Sequence, residues 1–374
     1  MHRPRVLQVV LSLDPGGTER LVVELARRLQ DRAPAMVCCL DNAGAWAREL
    51  ESHGIEVVAL ERDSGFRPML GRRVADLARR HDATVIHAHQ YSPFVYSCLS
   101  RVWRPGSRVV FTEHGRLSDT PPSAKRRLAN RILARFPSRV FAVSEDLKRH
   151  LEREGFAPDA LGVIYNGIDV GPVPDAALRG DVRQALGADA GTFVVGTIAR
   201  LDPVKDLGTL IEAAATLRGV LPIAVVIVGD GPERPSLEAA AKRLGIDGEV
   251  RFLGHREDAR RWLAGCDVYV NCSISEGVSL TILEAMAAAL PIVATRVGGT
   301  PEVVDAASGR LIPARDARAL SEALLELARN PGVRAALGRS ARQRLEARFT
   351  LDRMVGEYAD VYASVTGDRG GARH

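Results

Sequence analysis

The feature that most constrains the fold is an alternation of short apolar runs with helical patterns along almost the whole chain. In the first half the apolar runs are VLQVVL, AMVCCL, EVVAL, TVIHA, RVVFT, RVFAV and LGVIY, and in the second half TFVVGTI, IAVVIVG, EVRFLG, DVYVN, PIVAT and GRLIP. Segments with apolar residues at helical spacing, such as TERLVVELARRL and SLTILEAMAA, separate them. Apolar strands that alternate with helices are typical of parallel sheets covered by helices on both faces. The sequence therefore predicts an α/β protein.

The length of the chain and a break in its periodicity predict two domains. A chain of 374 residues exceeds what one hydrophobic core usually supports. Periodicity lapses at NGIDVGPVPDAALRGD, which places a linker near residues 169–185. Residues 1–170 and 171–350 are then expected to form two Rossmann-like domains that face one another across a ligand-binding cleft. Residues 367–374 are expected to form a flexible tail.

Composition argues against several other classes of protein. The hydrophobic content of 46% and the charged content of 26% are ordinary for a soluble globular protein, and no run approaches the ~20 apolar residues that span a bilayer. The N-terminal apolar run leads into a glycine turn and a charged helix, so we expect a buried first strand and not a signal peptide. The five cysteines are scattered among apolar neighbours, which predicts reduced core thiols in a cytoplasmic protein.

Two candidate anion sites follow predicted strands. Gly16 and Gly17 follow the first strand and lack a Cβ, so amides at the next helix start can approach an anion, although a tight turn explains them equally well. This turn is not G-x-G-x-x-G, which argues against a dinucleotide-binding dehydrogenase. Arg200 and Lys205 lie in the loop after TFVVGTI, where two cations suit a diphosphate. A pair of solvated surface charges is the alternative there.

Three histidines end two neighbouring predicted strands of the first half. His87 and His89 lie in VIHAHQ, and His114 follows RVVFT in the motif TEHG. A histidine at a strand end can donate a hydrogen bond to a sugar hydroxyl or phosphate, or move a proton near neutral pH. Because no carboxylate or cysteine ligand set accompanies these histidines, we expect no metal site.

The segment SEGVSLTILEAMA contains two carboxylates, Glu276 and Glu284, with seven residues between them. Glu276 lies in a loop, Ser279 is expected to cap the following helix, and Glu284 lies on the second turn of that helix. A further anion site is expected at this helix start from the amides of Gly277, Val278, Ser279 and Leu280. A polar stripe on an amphipathic helix is the alternative, but the neighbouring alanines leave little other polarity for a solvent face.

Together these motifs resemble the retaining glycosyltransferases of family 4, which have the GT-B fold. SEGVSLTILEAMAAALPIVATRVGGTPEVV is similar to the E-x7-E signature, and GGTERLVVELA, TEHG, AVSE, VIYNGID, RLDPVKDLGTLIEA and VGDGPER occur in family order over nearly the whole chain. The resemblance implies an N-terminal acceptor-binding domain and a C-terminal nucleotide-sugar-binding domain. It also implies a terminal helix at about residues 351–366 that crosses back to the first domain. No D-x-D motif occurs, in agreement with a metal-independent enzyme without a cofactor.

The resemblance also implies a role for each candidate residue. Glu276 would hold hydroxyls of the donor sugar, and Glu284 the ribose hydroxyls. Arg200 and Lys205 would clamp the diphosphate and stabilise the leaving group. His114 would contact the donor sugar.

Backbone groups supply the remaining implied contacts. Gly17, with its neighbour Gly16, would lie close to the phosphates and the acceptor. The chain around Leu253 to His255 would hold the base, and the amides from Gly277 to Leu280 the phosphates and the sugar.

A basic helix after the TEHG motif is a candidate surface for binding the acceptor. Residues 101–139 contain ten Lys or Arg and only two acids. The patch consists of Lys125, Arg126, Arg127 and Arg131, beside apolar residues spaced four apart. We expect it to meet an anionic membrane or a polyprenyl-linked glycan, with a solvated face as the alternative. One basic patch without a recognition module does not suggest a nucleic-acid partner.

The predicted function is transfer of a hexosyl group from a UDP- or GDP-sugar to a glycan or lipid-linked acceptor. The context of the TEHG motif is similar to bacterial exopolysaccharide and cell-envelope glycosyltransferases, which implies a cytoplasmic enzyme peripheral to the inner face of the plasma membrane. Two alternatives are a nucleotide-sugar 2-epimerase of the same fold and a non-catalytic protein that binds sugar nucleotides.

Overall fold

A computed structural model of the chain describes residues 3–115 and 124–367. The chain divides into two compact units, Met1–Asn166 together with Asp352–His374, and Gly167–Leu351. Each unit is built around one parallel sheet. The expected flexible tail, apart from its first residue, lies outside the described residues.

Thirteen strands form within the described residues, and every pairing between them is parallel. They are β1 (Val6–Val10), β2 (Ala35–Cys39), β3 (Val57–Ala59), β4 (Val85–His89), β5 (Arg108–Glu113), β6 (Pro137–Ala142), β7 (Leu161–Val163), β8 (Phe193–Ile198), β9 (Ile223–Val228), β10 (Val250–Gly254), β11 (Val268–Asn271), β12 (Ile292–Thr295) and β13 (Gly309–Ile312). The first sheet has the order β3-β2-β1-β4-β5-β6-β7 and the second the order β10-β9-β8-β11-β12-β13. Each strand coincides with one of the thirteen apolar runs, so the predicted α/β class is confirmed.

The described chain contains fifteen α-helices, of which twelve lie between strands and three follow β13. They are α1 (Gly17–Arg28), α2 (Ala47–Ser52), α3 (Met69–Arg80), α4 (Tyr91–Ser100), α5 (Ala124–Leu133), α6 (Glu145–Arg153), α7 (Ala176–Ala185), α8 (Leu207–Leu217), α9 (Arg234–Arg243), α10 (Ala259–Trp262), α11 (Leu280–Ala287), α12 (Thr300–Val303), α13 (Ala317–Arg329), α14 (Pro331–Arg348) and α15 (Leu351–Gly367). Central strands such as β1 and β4 are buried along their whole length because helices cover both faces of the sheet.

Helix α7 occupies a stretch that the sequence pattern suggested was linker. Its Gly and Asp content concealed the helix, but Asp175 caps it by accepting a hydrogen bond from the Leu178 amide at 2.8 Å. Arg179 and Arg183 of α7 then bind the buried Asp267 carboxylate, at 2.7 and 3.2 Å. These contacts anchor the helix to the second sheet, so the irregular part of the expected linker is shorter than the composition indicated.

The last helix, α15, belongs to the first unit although it follows the second in the chain. Its Tyr358 and Tyr362 are buried. Tyr358 Oη lies 3.0 Å from Thr112 Oγ1, and Tyr362 Oη accepts from Gln8 Nε2 at 3.2 Å. The helix is therefore fixed to β1 and β5 by polar contacts in a buried setting.

The cysteines and the helix lengths agree with the composition. All five cysteines are buried and none is in a disulfide, as predicted for core thiols. Burial raises the pKa of the Cys39 thiol to about 12, which keeps it protonated. Across the described ranges, every helix is too short or too polar to cross a bilayer.

Candidate functional site

Two sequence-predicted residues meet at the carboxyl edge of the second sheet. Lys205 lies in the loop after β8, and Glu276 lies in the loop after the neighbouring strand β11. Lys205 Nζ is 2.5 Å from Glu276 Oε1, with side chains only 24% and 11% exposed. The pair therefore forms a short, charge-assisted hydrogen bond in a partly desolvated setting. The sequence had suggested that each residue binds a different part of a ligand, and their direct contact was not predicted.

Two further side chains hold the Glu276 carboxylate in place. Ser273 Oγ donates to Glu276 Oε1 at 2.6 Å, and Asn271 Nδ2 donates to the same oxygen at 3.4 Å. Among the described residues, all hydrogen bonds to this carboxylate fall on Oε1, so Oε2 is available to a ligand. Sequence reasoning missed Ser273 and Asn271. Asn271 ends the central strand β11 and Ser273 lies two residues beyond it, and this position at a strand end was the signal that could have found them.

Glycines of the loop after β12 set the position of the Glu276 backbone. Gly298 has a φ of +51°, and a Cβ added there would lie 1.8 Å from the carbonyl oxygen of Glu276. The amide of Gly299 donates to that same oxygen at 3.2 Å. A side chain at Gly298 is therefore incompatible with the position of Glu276. This pair of glycines was visible in the sequence as RVGGTPE but was not assigned a role.

Arg200, the second predicted cation, lies nearer the surface than Lys205. Its side chain is 76% exposed and forms an ion pair with Asp202. Gly229 and Gly231, in the loop after β9, pack against this segment. A Cβ added at Gly229 would lie 1.9 Å from the Ala199 carbonyl oxygen, and a Cβ added at Gly231 would lie 2.6 Å from a backbone oxygen. These two glycines therefore support the loop that carries Arg200.

Helix α11 carries Glu284 and begins close to Glu276. Ser279 occupies the N-cap position, but its side chain makes no capping hydrogen bond. Its hydroxyl instead lies 3.2 Å from Thr281 Oγ1, which also accepts a hydrogen bond from Tyr269 Oη at 2.7 Å. The expected side-chain cap is therefore wrong. Glu284 is half-buried on the second turn, as the helical spacing predicted.

The start of this helix is largely enclosed. Val278 and Ser279 are buried, while Gly277 and Leu280 are half-buried. At the outer strand β10, Leu253 is half-buried and His255 is exposed. All of these residues lie at the carboxyl edge of the second sheet, where open parallel sheets bind their ligands.

In the first unit, His114 lies half-buried in a polar setting, directly after β5. Its Nε2 lies 3.0 Å from His89 Nδ1, and His89 Nε2 lies 2.8 Å from Gln8 Oε1. Burial lowers the pKa of His114 to about 3, so the ring is neutral at physiological pH. The neighbouring Glu113 accepts from the backbone amides of His114 and Gly115, and burial raises its pKa to about 8.

The glycine turn after β1 already has an acidic side chain beside it. Gly16 occupies the N-cap position of α1, and Gly17 is the first residue of the helix. A Cβ added at Gly16 would lie 2.3 Å from Glu19 Oε2. The sequence suggested an anion site at the start of α1. The Glu19 carboxylate lies beside this helix start, where the helix dipole favours a negative charge.

The basic helix α5 presents only part of the predicted patch to solvent. Arg126 donates to Glu154 Oε2 at 2.9 Å and stacks 4.5 Å from the ring centre of Tyr91. This residue turns inward, which corrects the expectation that it lies on the exposed basic face. Arg127 and Arg131 are exposed. The side chain of Lys125 lies outside the described part of the structure.

The exposed face of α5 also carries two apolar side chains. Leu128 is 61% exposed and Ile132 is 51% exposed, in line with the predicted spacing of four. We refer to Arg127, Leu128, Arg131 and Ile132 as the α5 face.

Comparisons with known proteins show which family the chain resembles. Residues 15–171 match the family model "Glycosyltransferase Family 4", and residues 192–330 match the model "Glycosyl transferases group 1". The lipopolysaccharide core biosynthesis glycosyltransferase LpsE of Rhizobium meliloti is 28% identical, over 93% of this chain and 96% of its own. A D-inositol 3-phosphate glycosyltransferase of Kribbella flavida is 30% identical, over 88% of this chain and 86% of its own.

Among solved structures, the chain is similar to HepE of Anabaena in complex with UDP-glucose. The identity is 27%, the match covers 96% of this chain and 99% of HepE, and the TM-score is 0.86. A sucrose-phosphate synthase from Thermosynechococcus elongatus has a TM-score of 0.82 at 18% identity, which shows a likeness of fold alone.

Proposed function

Because the chain belongs to the family 4 glycosyltransferases, we propose that it moves a hexosyl group from a UDP- or GDP-sugar to a glycan or lipid-linked acceptor. We propose further that transfer retains the anomeric configuration and requires no metal or other cofactor. The observation that carries the proposal is the Lys205–Glu276 pair at the carboxyl edge of the second sheet. The complex of HepE with UDP-glucose supports a nucleotide-sugar donor, and the name of LpsE supports a glycan acceptor in the cell envelope.

In this proposal Glu276 binds the donor sugar, and Lys205 binds the diphosphate on the other side of the bond that breaks. Glu276 Oε2 accepts hydroxyls of the donor sugar, while Oε1 remains bound to Ser273 and Lys205. Lys205 has three N–H donors, so it can bind Glu276 and a phosphate oxygen together. Arg200 exchanges its surface partner Asp202 for the diphosphate.

The remaining contacts orient the nucleotide. Glu284 binds the ribose hydroxyls, and amides from Gly277 to Leu280 bind the phosphates and the sugar. Backbone groups between Leu253 and His255 hold the base. Gly16 and Gly17, after β1 at the carboxyl edge of the first sheet, are assigned to contact with the acceptor.

The chemistry follows from where charge develops. Departure of the nucleotide diphosphate leaves negative charge on its phosphate oxygens, which Lys205, Arg200 and the amides stabilise. A leaving phosphate oxygen takes the proton of the acceptor hydroxyl, which attacks from the same face of the sugar. No enzymic nucleophile is then required, in contrast to retaining hydrolases that use paired carboxylates. His114 is neutral and contacts a sugar hydroxyl.

Kinetics of two glutamate variants test the proposal. Glu276→Gln keeps the shape of the side chain but removes its charge, so we expect kcat to fall by ~100-fold or more. Glu284→Ala should chiefly raise KM for the donor. The exposed Glu322, which pairs with Arg318 on α13, offers a control, and Glu322→Gln should transfer normally. Undiminished transfer by Glu276→Gln would contradict the assigned role, and an inverted product would contradict retention.

The proposal includes a peripheral contact between the α5 face and an anionic membrane at the inner side of the plasma membrane. Exposed Leu128 and Ile132 can enter the interface while Arg127 and Arg131 bind anionic headgroups. We expect Arg127→Glu/Arg131→Glu to reduce co-sedimentation with phosphatidylglycerol vesicles. Arg318→Glu/Arg339→Glu, at exposed positions of the second unit, controls for net charge. Equal losses in both variants would refute the contact.

A further inference from the structure

A continuous chain of buried hydrogen bonds joins His114 to the C-terminal helix α15. It runs from His114 Nε2 to His89 Nδ1 at 3.0 Å, and from His89 Nε2 to Gln8 Oε1 at 2.8 Å. Gln8 Nε2 then donates to Tyr362 Oη at 3.2 Å. Gln8, His89 and Tyr362 are almost completely shielded from solvent. Each polar atom of the chain therefore depends on the next for its hydrogen bond.

With Gln8 Oε1 facing His89 and Gln8 Nε2 facing Tyr362, the chemistry of these atoms determines where the hydrogens lie. Gln8 Oε1 can only accept, so His89 Nε2 must carry a hydrogen. A neutral imidazole has one N–H group, so His89 Nδ1 is an acceptor and receives its hydrogen bond from His114 Nε2–H. Burial lowers the pKa of both rings, which keeps them neutral. His114 Nδ1 is left with a lone pair, no hydrogen and no hydrogen-bond partner among the described residues.

Tyr362 sets the direction of the chain because its hydroxyl has a second partner. His87 Nδ1 lies 2.7 Å from Tyr362 Oη, and His87 Nε2 lies 2.9 Å from Thr112 Oγ1. The tyrosine hydroxyl has a single hydrogen. When that hydrogen points to His87 Nδ1, the tyrosine oxygen can only accept from Gln8, so the NH2 group of Gln8 must face Tyr362.

The reversed chain would be less stable. Turning the Gln8 amide over would require His114 Nδ1 to carry a hydrogen. Within the described ranges, this buried nitrogen has no hydrogen-bond partner. A buried N–H group without an acceptor is rarer in proteins than an incompletely satisfied acceptor, because leaving the donor unpaired costs its full desolvation.

We propose that Tyr362, acting through Gln8 and His89, holds His114 in the Nε2–H tautomer, so that Nδ1 accepts a hydrogen bond from a substrate hydroxyl. Tyr362 is then a positioning residue for His114. A site of this kind selects a hydroxyl over a phosphate or carbonyl oxygen, since both of these oxygens need a donor. The nature of the substrate rests on the proposed function, whereas the tautomer of His114 does not. The sequence suggested that His114 donates a hydrogen bond or moves a proton, whereas in this proposal its Nδ1 accepts a hydrogen bond.

Long-range proton–nitrogen NMR of the full chain with 15N-labelled histidine tests the inference without any ligand. A His114→Asn variant identifies the His114 signals. In the wild type we expect the Nε2–H form in at least about tenfold excess, which corresponds to ~1.4 kcal/mol. A major Nδ1–H form would overturn the proposal, and this result needs no variant of the network.

Two matched variants locate the cause. Tyr362→Phe should bring the two tautomers of His114 within about threefold of each other, because nothing then orients Gln8. Tyr358→Phe removes an equally buried hydroxyl one turn away, at Thr112 and not at Gln8, and should keep the wild-type tautomer. An unchanged tautomer in Tyr362→Phe, or equal changes in both variants, would overturn the assigned role. Failure to bind any nucleotide sugar would refute only the proposed function.

Discussion

Replacing Gly298 by alanine tests whether the loop after β12 sets the position of Glu276. The alanine Cβ would lie 1.8 Å from the Glu276 carbonyl oxygen, whereas real Cβ contacts stay beyond 3.0 Å. The two segments must therefore separate by roughly 1.2 Å (3.0 − 1.8). Because the oxygen belongs to the backbone, no side-chain rotation can relieve the contact.

Gly298→Ala is expected to lower both the free energy of unfolding and the catalytic efficiency. At a φ of +51° a non-glycine residue is strained by ~1–3 kcal/mol, so we expect the free energy of unfolding to fall by about that amount. A misplacement of ~1 Å at a reacting group costs ~100-fold in rate, so kcat/KM should fall by about that factor. The catalytic loss should exceed what the loss of stability explains, because the protein remains folded under assay conditions.

Denaturant unfolding and transfer kinetics measure the two parts separately. Gly332→Ala is the matched control: this glycine lies exposed near the start of α14, and an added Cβ would have nothing within 4 Å. We expect the control to match the wild type in both measurements. Wild-type stability and activity in Gly298→Ala would refute the account of how Glu276 is positioned.

Three further predictions follow from other contacts. Lys205→Met should weaken binding of UDP or GDP by about tenfold or more in calorimetry, because a charge-assisted phosphate contact is lost; unchanged affinity would contradict its role. Arg126→Gln should destabilise the first unit by ~1–3 kcal/mol because it leaves the buried Glu154 with fewer donors, whereas Arg127→Gln should change stability by less than ~0.5 kcal/mol; equal effects in denaturant unfolding would contradict the inward position of Arg126. Burial raises the pKa of Glu113 from 4.5 to about 8, so the folded state binds its proton more tightly and stability should fall as pH rises from about 4.5 to about 8. Glu113→Gln should flatten that part of the profile, and an unchanged slope would contradict the burial effect.

The sequence predicted the sheets well because their signal is local and repeated. Each strand is a continuous apolar run, and burial on both faces of a parallel sheet requires this composition. Helix α7 was missed because its stabilisation is not local: Arg179 and Arg183 bind Asp267, more than eighty residues away. Propensity alone gave no sign of that contact.

The candidate site was predictable in residue type but not in geometry. Glu276 and Lys205 were both identified, but their contact depends on β8 and β11 being neighbours, which no local pattern encodes. The inward turn of Arg126 likewise depends on Glu154 and Tyr91, which lie on other elements. Spacing identifies a helix face, and only packing shows which side chains of that face remain exposed.

We propose that the second unit binds a nucleotide-diphosphate sugar at Glu276 and Glu284. A thermal-shift screen of UDP- and GDP-sugars tests it most directly, because a ligand at 100 times its Kd stabilises the folded state by ~2.7 kcal/mol. We expect at least one of these sugars to raise the melting temperature by ~5–10 °C in the wild type and far less in Glu284→Ala. No rise with any of them, or an equal rise in the variant, would contradict the account.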